Sequence, residues 1–460
     1  MKLTFAGAAR TVTGSCFHLA TSDTQFIVDC GMHQGEGADE LNRAPFPFDP
    51  RRLSFALLTH AHIDHSGLTP KLVKEGFTGR IMTTAATADL LEIMLQDSAQ
   101  LQEKDAEWLT RKSFRAGADI TYTPLYTQDD VKALLPLIER KPYGRYEHLL
   151  KNLSYRFVDA GHILGSGTLE LSFQDGPSPR KIVFSGDIGR KGNPIIRDPE
   201  SVEEADYVVV ESTYGNRLHK GLKESIDELV EAIRVTFKRG GNVLIPAFAV
   251  GRTQDLLYVL NRAVREGRLR KLEVYVDSPL AGEATKVYLA HPEAFDEEAL
   301  GMFRQERSDG LRLHFTESVE ESQKINRRRS GAVIIAGSGM CEGGRIRHHL
   351  KHNLWRPECC VVFVGFQAKG TLGRRIVDGA RMVHVLGEDI AVRAKVSTIG
   401  GFSAHADQRE LIEWLRAFTS HPRVFIVHGE EESALAFEET VKSELGFSTT
   451  IPRLGESFEI

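Results

Sequence analysis

Short apolar runs broken by glycine, serine and aspartate open the chain, and residues 3–5, 15–19 and 25–28 read as brief strands of a β-meander. Residues 55–59 are apolar without alternation and read as a buried strand. From 87 to 108 the period becomes helical, with Leu90, Leu91, Met94 and Leu95 on one side and polar residues opposite. A charge-dense stretch, 103–115, and an aromatic one, 122–126, follow and read as a partly exposed connector. Residues 129–140 read as a helix interrupted at Pro136. Strands return at 153–158, 168–173, 181–184 and 207–210.

Past residue 222 the pattern changes to a repeated strand, loop and helix. Strands at 242–245, 272–276, 332–336 and 360–364 each lead into a loop and then a helix, which predicts a parallel α/β domain. The last segment adds a strand at 395–399, an amphipathic helix at 408–418 and a strand at 424–427.

Composition narrows the class without naming it. At 460 residues, 41% hydrophobic and 26% charged, the chain is long enough for two or three globular domains. A net charge of −5 argues against coating nucleic acid wholesale but leaves room for a local basic groove. The N-terminus makes a poor signal peptide, and no run of about 18 apolar residues offers a membrane span. Five cysteines (Cys16, Cys30, Cys341, Cys359 and Cys360) without a C-x-x-C pair speak against a disulfide scaffold and for a reducing cytoplasm.

The chemistry concentrates in one hexapeptide. His60, His62, Asp64 and His65 fall within residues 60–65, directly after the buried strand. In extended backbone His60 and His62 point to the same side, and the turn before Gly67 brings Asp64 and His65 round to face them. Imidazoles and a carboxylate packed this tightly suit zinc better than calcium or magnesium, which prefer oxygen shells. A lone histidine at such a place is ordinarily a surface residue; three with an aspartate in six positions are not. Upstream Asp29, and downstream His162, Asp187 and His428, each stand at a strand end or bend. Singly such residues are ordinary turn formers.

The pattern H-x-H-x-D-H resembles the signature of the metallo-β-lactamase superfamily, with Asp29, His162 and Asp187 in the order of its other motifs. Glu211, His405 within Ser-Ala-His-Ala-Asp and His428 within Val-His-Gly-Glu, around an inserted α/β segment, are similar to the three motifs of its β-CASP nucleases, nearest the mRNA 3′-end-processing endonucleases. The resemblance implies a metallo-β-lactamase αββα sandwich with an inserted parallel α/β β-CASP domain. The sandwich would occupy 1–210 and 395–460 and the insertion 211–394.

The same resemblance implies two zinc ions, one held by His60, His62 and His162 and the other by Asp64, His65 and His428, with Asp187 bridging and Asp29 supporting the metal loop. Two Zn²⁺, two carboxylates and a bridging hydroxide leave about one positive charge, a match for a phosphodiester. It further implies RNA hydrolysis by that hydroxide, with catalytic Asp64, His405 as general acid and Glu211 orienting it, giving 5′-phosphate and 3′-hydroxyl ends. The sequence ends about 30 residues after His428, without the extra C-terminal domain typical of ribonuclease J-type members, so an endonuclease is expected. A 5′-to-3′ exonuclease, a DNA nuclease and a non-catalytic RNA-binding subunit are the alternatives.

Around the insertion, the Gly337–Met340 loop, with Ser338 and Gly339, reads as a phosphate cradle, and Arg252, Arg345 and Lys369 as RNA-backbone contacts. The partners implied are RNA and, compatible with the motifs though not required by them, a second copy in a homodimer.

Overall fold

The computed structural model of the protein describes all residues except 36, 177, 297, 298, 300–309 and 369. Its contacts gather the chain into two units. The first comprises Met1–Lys191, Asp198–Leu218 and His405–Ile460; the second comprises Gly192–Arg197 and His219–Ala404.

Two seven-stranded sheets build the first unit. One runs, edge to edge, through Ser457–Glu459, Lys2–Phe5, Phe17–Ala20, Gln25–Val28, Phe55–Leu57, Arg80–Thr84 and Ile138–Lys141. The other runs through Thr449–Thr450, Arg423–Val427, Tyr207–Glu211, Arg180–Phe184, Gly167–Phe173, Leu153–Asp159 and Glu147–Leu150. Their facing sides share a core of Leu3, Phe5, Phe26, Phe55, Phe157, Leu169, Phe184 and Phe425, all of them buried. Outside the second sheet, Leu411, Ile412, Trp414, Leu415 and Phe437 cover Val183, Val208, Val210 and Ile426. Those covering residues come from helices Gln408–Arg416 and Glu431–Leu445. This is the αββα sandwich the resemblance implies.

Three details differ from the sequence reading. The helix expected over 129–140 stops at Leu134, and Ile138–Lys141 instead pairs in parallel with Arg80–Thr84 as an edge strand. Pro136 ends the helix because it has no N–H to continue the ladder. The helix expected over 87–108 runs from Ala85 to Arg115, with the Thr84 hydroxyl capping its start. The strand expected over 15–19 is Phe17–Ala20.

The second unit holds a six-stranded parallel sheet in the order Leu311–Phe315, Leu272–Val276, Ala332–Ala336, Val243–Pro246, Cys360–Phe363 and Lys395–Thr398. Lys395–Thr398 thus extends this sheet, and the second unit continues to Ala404. Near-continuous burial of Val243–Pro246, Ala332–Ala336 and Cys360–Phe363 is what parallel strands covered on both faces require. All five cysteines are buried and free. Among the described residues no helix is long and apolar enough to cross a membrane.

Candidate metal centre

The hexapeptide leaves the buried strand Phe55–Leu57 and, from His62, enters a one-turn helix, Ile63–Ser66. The extended His60–His62 step and this helical turn together make the reversal that the sequence requires. The loop is held from beneath: Ser15 N–H donates to the Asp64 carbonyl and Cys30 N–H to the His65 carbonyl, each at 2.8 Å. A Cβ on Gly31 would stand 1.7 Å from that Asp64 carbonyl oxygen, so only glycine lets the two segments approach this closely.

His162, Asp187 and His428 reach the same place from three strand ends. His162 follows Leu153–Asp159, and its N–H donates to Ser166 Oγ. Asp187 follows Arg180–Phe184, and His428 follows Arg423–Val427. Asp29 and His428 both adopt left-handed backbone, with φ of 58° and 48°. Such geometry is uncommon outside glycine and tends to collect at functional sites.

Around Asp187 the donor atoms converge. His60 Nε2 lies 3.2 Å from His62 Nδ1, which lies 3.1 Å from His162 Nε2. Asp187 Oδ2 stands 3.4 Å from His60 Nε2 and 3.5 Å from His162 Nε2. On its other side, Asp187 Oδ1 is 3.2 Å from His65 Nε2, itself 3.2 Å from His428 Nε2, and His428 Nε2 is 3.6 Å from Asp64 Oδ2. His60, His62, His162 and Asp187 form one cluster of ligand atoms; Asp64, His65 and His428 form another.

These donors fit zinc. Tetrahedral coordination with Zn–N near 2.0–2.1 Å places ligand atoms about 3.3–3.4 Å apart, close to the observed edges. Both carboxylate oxygens of Asp187 are buried without a hydrogen-bond donor. An anion at 1% exposure in that state needs positive charge. Burial, with the charge of His65 beside it, pushes His60 down to about 3; burial pushes His62 down to about 4 and His162 well down. All three are therefore neutral at pH 7 with a lone pair to offer a metal. Burial lowers His65 too, but Asp187 and Asp29 outweigh it and raise the imidazole well above its ordinary value.

Outer groups aim these rings. Asp29 accepts from Thr59 N–H at 2.8 Å and from the Thr59 hydroxyl, and it stands 2.8 Å from His65 Nδ1. Thr59 Oγ1 is 3.1 Å from His60 Nδ1. Thr213 Oγ1 donates to Glu211 Oε2 and lies 3.1 Å from His428 Nδ1. In His60, His65 and His428 the outer nitrogen meets an oxygen while the inner one faces the cluster, the arrangement that orients metal-binding imidazoles. Thr59 and Thr213 escaped the sequence reading. Their only signal is adjacency, Thr59 beside His60 and Thr213 two residues after Glu211.

His405 stands beside this cluster. Its Nδ1 is 3.1 Å from Glu211 Oε2 and 3.9 Å from Asp187 Oδ2, and its ring centroid is 4.5 Å from that of His162. Glu211 is fully buried and accepts from Ile188 N–H at 2.6 Å. Burial lowers the His405 pKa, yet the carboxylates of Glu211 and Asp187 prevail and hold it up to about 9.

The described residues expected from sequence to contact phosphate and RNA lie in the second unit. Arg345 points inward: its guanidinium donates to Asp277 Oδ1 at 2.7 Å and to the Glu317 carbonyl at 2.8 Å. Arg252 is 8% exposed and pairs with Asp255 at 3.1 Å. The Ser338 hydroxyl closes its own loop, accepting from Gly343 N–H at 3.2 Å. Gly339 lies under the ring of Phe248. Lys369 lies outside the described residues.

Comparison with known proteins agrees with this geometry. The chain matches the metallo-β-lactamase superfamily over residues 9–246, the Beta-Casp domain over 253–376 and the Zn-dependent metallo-hydrolase RNA specificity domain over 389–452. It is 38% identical to Ribonuclease TTHA0252 of Thermus thermophilus over the whole of both chains. It is 31% identical to Transcription termination factor FttA of Methanosarcina mazei, over 98% of this chain and 70% of that one. An RNase J-like protein of Methanocaldococcus jannaschii is 29% identical over 98% of both. A solved Enterococcus faecalis protein of unknown function shares the fold at a TM-score of 0.57 and 12% identity, over 99% of each chain. The protein is thus a metallo-hydrolase, and it belongs to the metallo-β-lactamase superfamily and to its β-CASP family.

Proposed function

We propose that the protein is a zinc-dependent ribonuclease that cuts RNA internally. The observation that carries this reading is the ring of ligand atoms around Asp187, whose oxygens are buried without a hydrogen-bond donor. The names of the relatives, a ribonuclease and an RNase J-like protein, support RNA as the substrate.

His60, His62 and His162 would hold one zinc ion, and Asp64, His65 and His428 the other, with one oxygen of Asp187 turned to each. When bound, zinc supplies Lewis acidity, which brings the pKa of water toward neutrality and neutralises phosphate charge. Asp64 is held below the usual carboxylate range: burial opposes ionisation, but His428 and His65 outweigh it, so it stays anionic throughout the working pH. His405, charged near neutral pH, gives its proton to the departing oxygen of the RNA. Glu211 fixes that imidazole at Nδ1 and leaves Nε2 as the donating atom. The products then carry 5′-phosphate and 3′-hydroxyl ends. In the second unit, the loop of Ser338 and Gly339 would steady the RNA backbone, with Arg252 and Arg345, which pair with Asp255 and Asp277, supporting it from within. All seven metal ligands come from one chain, so the chemistry does not depend on a homodimer.

The experiment is incubation of the zinc-loaded protein with RNA and DNA labelled at either end and bearing 5′-hydroxyl, monophosphate or triphosphate. Internal fragments from RNA whatever its 5′ end are the expected outcome. Mononucleotides released from one end would establish an exonuclease instead, preferential DNA cleavage a DNA nuclease, and binding without cleavage a non-catalytic subunit.

A further inference from the structure

Within the second unit, the loops leaving Val243–Pro246 and Ala332–Ala336 stand where the sheet topology favours ligand binding. The two strands are parallel neighbours, with Pro246 opposite Ala336. From Val243–Pro246 the chain passes through helix Arg252–Arg265 toward Leu272–Val276 on one side. From Ala332–Ala336 it passes through helix Ile346–Asn353 toward Cys360–Phe363 on the other. Right-handed crossovers in opposite directions put these helices on opposite faces of the sheet. In open parallel sheets ligands bind outside the carboxyl ends of strands at such a reversal.

Phe248 stands there, 42% exposed among residues that are mostly buried. Its backbone is pinned: Ala247 N–H donates to the Ala336 carbonyl at 3.1 Å, and the Thr253 hydroxyl to the Phe248 carbonyl at 2.8 Å. One edge of the ring lies on Gly339. A Cβ at that glycine would be 2.8 Å from Cε2 and 2.9 Å from Cδ2 of the ring. Gln367 Nε2 donates to the Gly339 carbonyl at 3.0 Å and fixes the loop from the next strand's end. In this loop the N–H groups of Ser338, Cys341 and Gly343 have partners, whereas those of Gly339 and Met340 donate to none of the described residues.

We propose that Phe248 is a stacking platform for one base of single-stranded RNA, with the adjoining loop at Met340 receiving the phosphate of the same nucleotide. The proposal rests on the RNA reading above and deepens it. Every base has a π-face, so a pinned, half-open phenyl ring gives affinity without sequence preference. A backbone N–H beside it, without a partner among the described residues, supplies the donor that a phosphate oxygen accepts. Phe248 is thus a positioning residue, remote in kind from the proton-transfer groups.

The test uses single-stranded RNA carrying 2-aminopurine, whose fluorescence falls on stacking, titrated into zinc-loaded protein in a His405→Ala background. Phe248→Leu should weaken binding about tenfold and remove the quench, whereas Phe248→Tyr should keep both within about twofold. Gly339→Ala, which drives a methyl group into the ring, should match Phe248→Leu while melting at a similar temperature. With His405 intact, Phe248→Leu should raise KM about tenfold and leave kcat within about twofold. Equal binding and equal quench in Phe248→Leu and its parent would overturn the platform. If RNA cleavage by the unmodified protein proceeds while Phe248 is immaterial, the platform alone fails. A Phe248-dependent quench without any cleavage sinks the nuclease reading and leaves the platform standing. No RNA binding by any variant overturns both.

Discussion

His405 Nδ1 and Glu211 Oε2 lie 3.1 Å apart across 194 residues of sequence. The pair fixes the orientation of an imidazole next to the proposed metal centre. Removing the imidazole removes no metal ligand. His405→Ala should therefore keep its zinc and its melting temperature while losing cleavage by about 100-fold or more, the scale of general acid catalysis. Cleavage at the unmodified rate would show that the proton comes from elsewhere.

Glu211 raises the His405 pKa, so its charge should be visible in the pH profile. Activity that needs a protonated His405 is present below its pKa and falls as pH rises through it. Glu211→Gln removes the negative charge and lowers that pKa, so the alkaline limb of log kcat against pH should move to lower pH. An unmoved limb would separate Glu211 from the proton donor.

Asp29 touches Thr59 and His65 but no atom of the inner cluster facing Asp187. Asp29→Asn should weaken zinc affinity by about 10- to 100-fold without abolishing it, measured by competition with a chelator. Unchanged affinity would mean that His65 is oriented without it.

In the second unit Asp277 is buried and accepts from Ser322 Oγ at 2.6 Å and from Arg345 Nη1 at 2.7 Å, with His349 Nε2 2.6 Å away. Burial opposes its ionisation, but these partners win and hold the carboxyl well below the usual range. A depressed pKa gives stability that is present above the unfolded value, near 4, and is lost as pH falls toward the folded one. Asp277→Asn should thus cost about 2–4 kcal/mol at pH 7, and the difference from the unmodified protein should shrink below about pH 4. A pH-independent difference in denaturant unfolding would contradict this.

The sequence disclosed what local spacing carries. His60, His62, Asp64 and His65 are legible because four ligand types fall in six residues, and the parallel sheet because strand and helix alternate at a steady period. Arg345 was not legible. On an exposed helix start its charge suggests RNA, but its partner Asp277 lies 68 residues earlier, a distance that periodicity does not reach. The edge strand Ile138–Lys141 was hidden for a related reason. Its partner, Arg80–Thr84, lies across the long helix Ala85–Arg115, and the polar residues Glu139, Arg140 and Lys141 do not show strand alternation. Thr213 shows that outer-shell groups are seen only once the rings they aim are placed.

The central claim, a two-zinc centre around Asp187, is tested most directly by elemental analysis of the purified protein beside its Asp187→Ala variant. About two zinc ions per chain in the unmodified protein, and a large loss in the variant, are the result expected. A zinc-free protein that cuts RNA at full rate, or an Asp187→Ala variant that keeps both ions, would contradict the account.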